Sequence, residues 1–489
     1  MRYIESAHYA EETKLMREHP SGQATFDFTP VGQRTVDRVD ALERIVDALP
    51  ARILHIVEAD LTERATHPDR GRRGMSADRV LRAALLKQMN GVSYENLYFQ
   101  IDDSNRIRRF VGYEFEAVPA ASTLHENISA IRDETWEEVN DALVRFAVKE
   151  RIEDLGKIRI DTANVEADIH HPTDASLLAD GIRVIARICK QAKKRWPILV
   201  FDFHDRTRAS KKLAFKIANA KSADRKTKRY RKLVPLAKET LGYGREAIRA
   251  LRAHSFVKMA EKADAMRVAE DLKEICDLLQ RVIDQTRRRV FEGESVPADE
   301  KVVSIFEPYA CILEKGKRDT EFGRKVCLSM GKKLILDMEI LDGNPADTEP
   351  FADALKRLID KFRVVPGAVA TDQGFGSAAN AEAAVKLGVD DVYFSGKPVA
   401  ASARHLVVED GPLGKALGRF RAGAEGLISA AMRAGAKLGR CLWKGYDHFC
   451  AYAWSAVAAT NVKRIAEVLV ERVEAARKKE RQRRRPALT

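Results

Sequence analysis

Apolar positions recur at helical spacing through the first third of the chain. Val36, Val39, Leu42, Ile45, Val46 and Leu49 predict one amphipathic helix over about 36–65, after a poorly structured start broken by Pro20, Ser21, Gly22 and Pro30. HPDRGRRGMS at 67–76 reads as a loop. Ser76 caps the next helix, which Gly91 ends, and a further helix follows Ser93 up to a turn at Asp102–Ser104. ENLYFQ at 95–100 spells a protease site, but it falls inside an amphipathic helix and reads as native sequence. Residues 119–132, with Ser122-Thr123 as cap, and about 134–150 predict two more helices.

The period changes at 157. KIRIDT (157–162) alternates apolar and polar residues and carries an acid, Asp161, next to its end, which predicts a strand. From 180 to about 292 the pattern is helical and charge-rich. Strands are predicted at 302–313, 325–330 and 333–341, the last two joined at Gly331-Lys332 as a hairpin. A helix (346–363), a buried strand (364–371), a helix (377–387), a short strand (392–395) and helices at 413–437 and 447–480 follow. With the helical insertion removed, three antiparallel-capable strands precede alternating α and β elements. That order matches a ribonuclease-H-like α/β sheet split after its first strand. The expected division is an all-α N-terminal domain (1–150), a first strand block (151–180), a basic helical insertion (181–300), the rest of the core (301–465) and a basic tail (466–489).

The 489 residues are 45% hydrophobic and 32% charged, which excludes general disorder. No apolar run reaches the roughly 18 residues of a membrane helix, and the first thirty residues carry no secretory h-region. Six scattered cysteines without a CxxC pair fit a reducing cytosol. The net charge of +13 is segregated. Residues 205–235 carry twelve Lys or Arg against two Asp, and residues 463–489 carry ten against four Glu. Such clustering points to a polyanion, of which nucleic acid is the commonest. The competing reading is a solvated helix face and a frayed tail.

Three acids stand where these elements could converge. Asp161 ends the first strand, Asp372 ends the fourth, and Glu425 lies on the helix after the fifth. Hard divalent cations prefer oxygen ligands. Two ions can activate a nucleophile and stabilise the leaving oxygen of a phosphoryl displacement. Each acid alone is as readily a turn former or surface charge.

Several segments resemble the DDE transposases of bacterial insertion sequences, close to the group known as ISNCY. They are 76–113 with PAASTLHENISAIR after it, IRIDTANVEADIHHPTDASLLADGIRVI (158–185), VVSIFEPYACILEKGKRDTEFGRKVCLS and its following hairpin, ATDQGFGS (370–377), and RFRAGAEGLISAAMR (419–433) with WKG at 443–445. The resemblance runs from about 76 to 465. It implies a ribonuclease-H-like core in which Asp161, Asp372 and Glu425 hold two Mg²⁺ ions, with Mn²⁺ able to substitute. It also implies cleavage at terminal inverted repeats, strand transfer into target double-stranded DNA, a homodimer in the DNA complex and a cytoplasmic, nucleoid-associated protein. Arg421 keeps its place four residues before Glu425, one turn away on the helix. Related families carry a Tyr where this chain has Gly418, and a Lys or Arg where it has Met432, next to Arg433.

The remaining candidates are weaker. Lys397 is a candidate phosphate contact, as are Lys226, Lys228, Arg229, Arg231 and Lys232 of the insertion. His170-His171 lack partners at zinc spacing. Glu166 and Asp168 read as surface acids and Trp443 as core. Ser122-Thr123 could open a helix-turn-helix or a plain helix. No Walker lysine motif or GxGxxG occurs, so no nucleotide cofactor is expected. A nuclease that cuts without joining shares all three acids, and an inactive DNA-binding descendant would have lost one.

Overall fold

The computed structural model describes residues 30–63, 74–313, 320–396, 399–408, 411–433 and 436–483. The helical N-terminal region comprises α1 (Pro30–Asp47), α2 (Ala51–Thr62), α3 (Ala77–Asn90), α4 (Tyr94–Asp103), α5 (Asn105–Val111), α6 (Ala121–Ile128) and α7 (Asp133–Lys149). The single helix expected over 36–65 is two. Pro50, which cannot donate a backbone hydrogen bond, breaks the pattern and becomes the N-cap of α2. Ser76 caps α3 by accepting from Arg79 N, and Gly91 closes it in the left-handed region at φ 58°. Ser122 and Thr123 do not cap α6: they lie inside its first turn, behind Ala120.

The core then runs β1 (Lys157–Ala167), the insertion helices α8 (Asp174–Arg195), α9 (Thr207–Ala218), α10 (Ala223–Ala253) and α11 (Met259–Thr286), then β2 (Cys311–Leu313), β3 (Glu321–Met330), β4 (Ile335–Ile340), α12 (Phe351–Phe362), β5 (Ala368–Thr371), α13 (Ala378–Lys386), β6 (Asp391–Phe394), α14 (Pro412–Arg433), β7 (Arg440–Cys441) and α15 (Tyr446–Arg483). Two predicted strands are shorter than expected. Only Cys311–Leu313 of 302–313 joins the sheet, and 364–371 pairs only from Ala368, with Val364 and Val365 solvent-exposed.

The sheet is mixed. β3 lies antiparallel between β1 and β4, while β5 pairs parallel with β1, and β6 parallel with β5. The path β4-β3-β1-β5-β6 puts β1 at the centre, with β2 extending the β3 edge and β7 touching the far end of β1. The outer edge of β4 is closed by asparagines. Asn461 donates to Ile335 O and accepts from Ile335 N, and Asn140 donates to Leu336 O and accepts from Asn461. Edge groups left without partners under two helices would be costly.

One hydrophobic core joins the N-terminal helices to the sheet, α12–α14 and the buried first half of α15. The insertion has a second core of its own, from Ala175 to Ile305, built by α8, α10 and α11 around Leu178, Leu241 and Leu272. It leaves the sheet after β1 and returns before β2. No helix among the described residues is long and apolar enough to cross a membrane.

Candidate active site

The register of β1 and β5 sets the first two acids. Ile160 pairs with Thr371, so Asp161 and Asp372 are the next residues on neighbouring parallel strands, which lie about 4.8 Å apart. β5 stops there: Asp372 turns into a short 3₁₀ segment, its Oδ1 accepting from Gly374 N at 2.9 Å. β1 continues, and β7 joins it only at Glu166 and Ala167. The gap between β5 and β7 opens onto a cavity of about 910 Å³ lined by Asp161, Asp372, Arg421 and Glu425, with Asn164, Glu166, Glu321 and Arg433 among others. A cleft at the carboxyl ends of adjacent parallel strands is where open α/β sheets bind ligands.

α14 supplies the third acid. Glu425 and Arg421 are one turn apart, with Arg421 Nη1 3.6 Å from Glu425 Oε1 and Nη2 3.8 Å from Asp372 Oδ2. The guanidinium thus stands between two of the three acids. Glu425 is three-quarters exposed, whereas Arg421 is mostly covered and its Nε has no partner. Asp161 accepts the Thr162 backbone N–H at 2.8 Å. Among the described residues, no three His, Cys, Asp or Glu side chains are close enough together to hold one ion. The donor set is nevertheless all carboxylate oxygen, the chemistry that suits Mg²⁺ or Mn²⁺.

Arg159 fixes α14 against the sheet. From β1 it donates to Phe420 O at 2.5 Å and to Lys332 O at 3.1 Å, and it packs over the Phe420 ring. Burial lowers its pKa.

Two nearby groups carry no mark in the sequence. Asp347, in the loop before α12, accepts the Thr162 hydroxyl at 2.9 Å and pairs with Lys325 at 2.6 Å. It lies within the helix expected over 346–363, where nothing singles it out. Tyr393, on β6, brings its hydroxyl to 3.0 Å from where a Cβ on Gly418 would be, so the glycine gives room to a Tyr from another element.

The other candidates separate. Lys226, Lys228, Arg231 and Lys232 are exposed on α10, but Arg229 is half-buried and donates to Lys216 O near the end of α9. Lys397 lies outside the described residues. Arg433 and Met432 both line the cavity, and so does Glu166, read from sequence as a plain surface acid. Asp168 binds Arg440 and Lys444; burial works to raise its carboxyl, but those hydrogen bonds outweigh it and hold the pKa low. His170 is tied to Asp180 at 2.7 Å. Trp443 packs against the main core, with the Lys87 ammonium 5.7 Å from its ring.

The cavity wall from Lys437 to Leu442 is held from the N-terminal helices. Gln88 donates to Ala436 O at 2.7 Å and Lys437 donates to Gly91 O at 2.9 Å. Those helices decide the family evidence.

Residues 31–130 match a transposase domain, DUF772.

The match supports a transposase family. It spans α1 to α6 and does not reach the sheet. No curated protein and no solved structure matches the chain. The transposase domain and the acidic cavity nonetheless meet, because α3 carries Lys87, Gln88 and, at its C-cap, Gly91.

Proposed function

We propose that the chain is a DDE transposase with a ribonuclease-H-like core, which binds the terminal inverted repeats of its element and carries out DNA cleavage and strand transfer. One observation carries the reading: Asp161, in the middle of β1 and not at its end as the sequence suggested, lies beside Asp372, the residue after β5, and both share a cavity with Glu425, in a chain whose N-terminal helices match a transposase domain. The strand order β4-β3-β1-β5-β6, antiparallel on one side of β1 and parallel on the other, supports the core assignment.

Asp161, Asp372 and Glu425 would hold the divalent metal. When bound, such ions activate a hydroxyl nucleophile and stabilise the leaving oxygen of an in-line displacement. The chain's own residues do the rest. Arg421 offers a cation to a DNA phosphate at the cavity floor, with planar donors suited to phosphate oxygens. Arg433 adds a second cation at the cavity wall. Lys226, Lys228, Arg231 and Lys232 track a phosphate backbone from the insertion, binding that carries no sequence information by itself. Sequence reading is left to the transposase domain.

The test uses a precut oligonucleotide with the terminal repeat found beside the gene, the full-length chain and Mg²⁺. Joining of the 3′ end to a target plasmid supports a transposase. Nicking without joining reduces the activity to a nuclease, and neither reaction overturns the reading.

A further inference from the structure

We propose that Arg421 is a built-in counter-cation for the acidic site, which must leave its carboxylates before metal can bind. This rests on the metal-binding role proposed for Asp161, Asp372 and Glu425. Clustered carboxylates without a cation repel one another and resist ionisation. Arg421 supplies such a cation, reaching Asp372 Oδ2 at 3.8 Å and Glu425 Oε1 at 3.6 Å.

The geometry is that of a displaceable plug. Both contacts are long for charge-assisted hydrogen bonds, which run to about 2.7–2.9 Å. The similarly covered Arg82 and Arg357 are held far more tightly, Arg82 to Asp78 at 2.8 and 2.9 Å and Arg357 to Asp337 at 2.9 and 3.0 Å. Arg421 has no such grip, and its buried Nε is unpartnered. Its partners differ as well. Asp372 Oδ1 is committed to Gly374 N, so Oδ2 is the oxygen that guanidinium and metal both want. Glu425 is three-quarters exposed, so solvent and not packing surrounds its carboxylate. The guanidinium occupies the carboxylate oxygens that a metal would need, and once displaced it still faces the cavity, where a phosphate could take it.

Two cations competing for the same oxygens must weaken each other's binding by the same factor. Mn²⁺ binding to the DNA-free full-length chain, followed by calorimetry, therefore tests the idea without any catalytic readout. Arg421→Gln should bind Mn²⁺ more tightly by roughly tenfold, the scale of two weak ion pairs. Arg421→Lys should fall between the two. Circular dichroism establishes that each variant is folded, and the lysine variant keeps the test decisive if the glutamine one is not. An affinity for Arg421→Gln that is unchanged or weaker than wild type, with Asp372→Asn clearly impaired, overturns the counter-cation while sparing the metal site. Binding by none of the variants, or binding indifferent to Asp372→Asn, overturns the metal site itself and the inference with it.

Discussion

The guanidinium of Arg159 lies in the space that Gly423 leaves by having no side chain. A Cβ at 423 would fall on Arg159 Nη1, the atom that donates to Phe420 O. Asp161 is two residues from Arg159 on β1, and Arg421 and Glu425 flank Gly423 on α14. One buried arginine therefore sets the distance between the strand and helix halves of the acidic site. Arg159→Met removes two donated hydrogen bonds, to Phe420 O and Lys332 O, each worth about 0.5–1.5 kcal/mol. Gly423→Ala pushes α14 outward. Both variants should melt lower than wild type. Both should also lose cleavage by about a hundredfold, as misplacement of reacting groups by an ångström does. Thermal melts read beside single-turnover rates check this; full activity in Gly423→Ala would show that α14 is positioned by other contacts.

The insertion makes an electrostatic prediction. Changing Lys226, Lys228, Arg231 and Lys232 to Gln should weaken binding about equally on terminal-repeat and random DNA. Each lost phosphate contact should flatten the slope of log affinity against log salt by about 0.9. Arg229 is set apart because it holds the end of α9, so Arg229→Gln should lower the melting temperature of the insertion as well. Titrations at several salt concentrations decide, and loss confined to repeat DNA would mean that these residues read bases.

Lys87 predicts a pH dependence. Burial, reinforced by the nearby Lys437, lowers its pKa to about 8. The ammonium rests over the Tyr94 ring at 4.5 Å. The folded chain binds this proton less tightly than the unfolded chain, whose lysine titrates near about 10.4. The folded state is thus favoured increasingly as pH rises from about 8 toward that value. Lys87→Met removes the dependence. Denaturant melts of both proteins between pH 7 and 10 should show wild type gaining on the variant as pH rises; parallel curves would contradict the buried-amine account.

Much of the fold was legible because its elements announce themselves locally. The caps at Ser76 and Ser93 and the period change at 157 mark element starts, whereas the acid of KIRIDT does not end its strand, which runs on to Ala167. What was hidden depends on partners far along the chain. The β3–β4 connection holds because the carboxylate of Glu153 accepts the backbone N–H groups of Lys332, Lys333 and Leu334, a bond set that no local pattern around 331–334 announces. The π-helical end of α11 at Arg287–Phe291 and the non-strand run 302–310 are likewise set by tertiary contacts, such as Gln285 accepting from Val302 N. In the site, the order of strands and helices led to Asp161, Asp372 and Glu425, which line one cavity, although Asp161 lies in mid-strand and not at the expected strand end. Asp347, Tyr393 and the seat of Arg159 did not, because each matters only through a neighbour on another element.

The central claim is that Asp161, Asp372 and Glu425 act as one metal-dependent site for cutting DNA. The most direct measurement is Mg²⁺-dependent cleavage of a terminal-repeat duplex by wild type, Asp161→Asn, Asp372→Asn, Glu425→Gln and the Asp161→Asn/Glu425→Gln pair, with DNA binding measured in parallel. The account predicts that every single change abolishes cleavage, that the pair is no worse than either single, and that DNA binding survives in all, because groups acting as a unit are not additive. Robust Mg²⁺-dependent cutting by any one of the three single variants would contradict it.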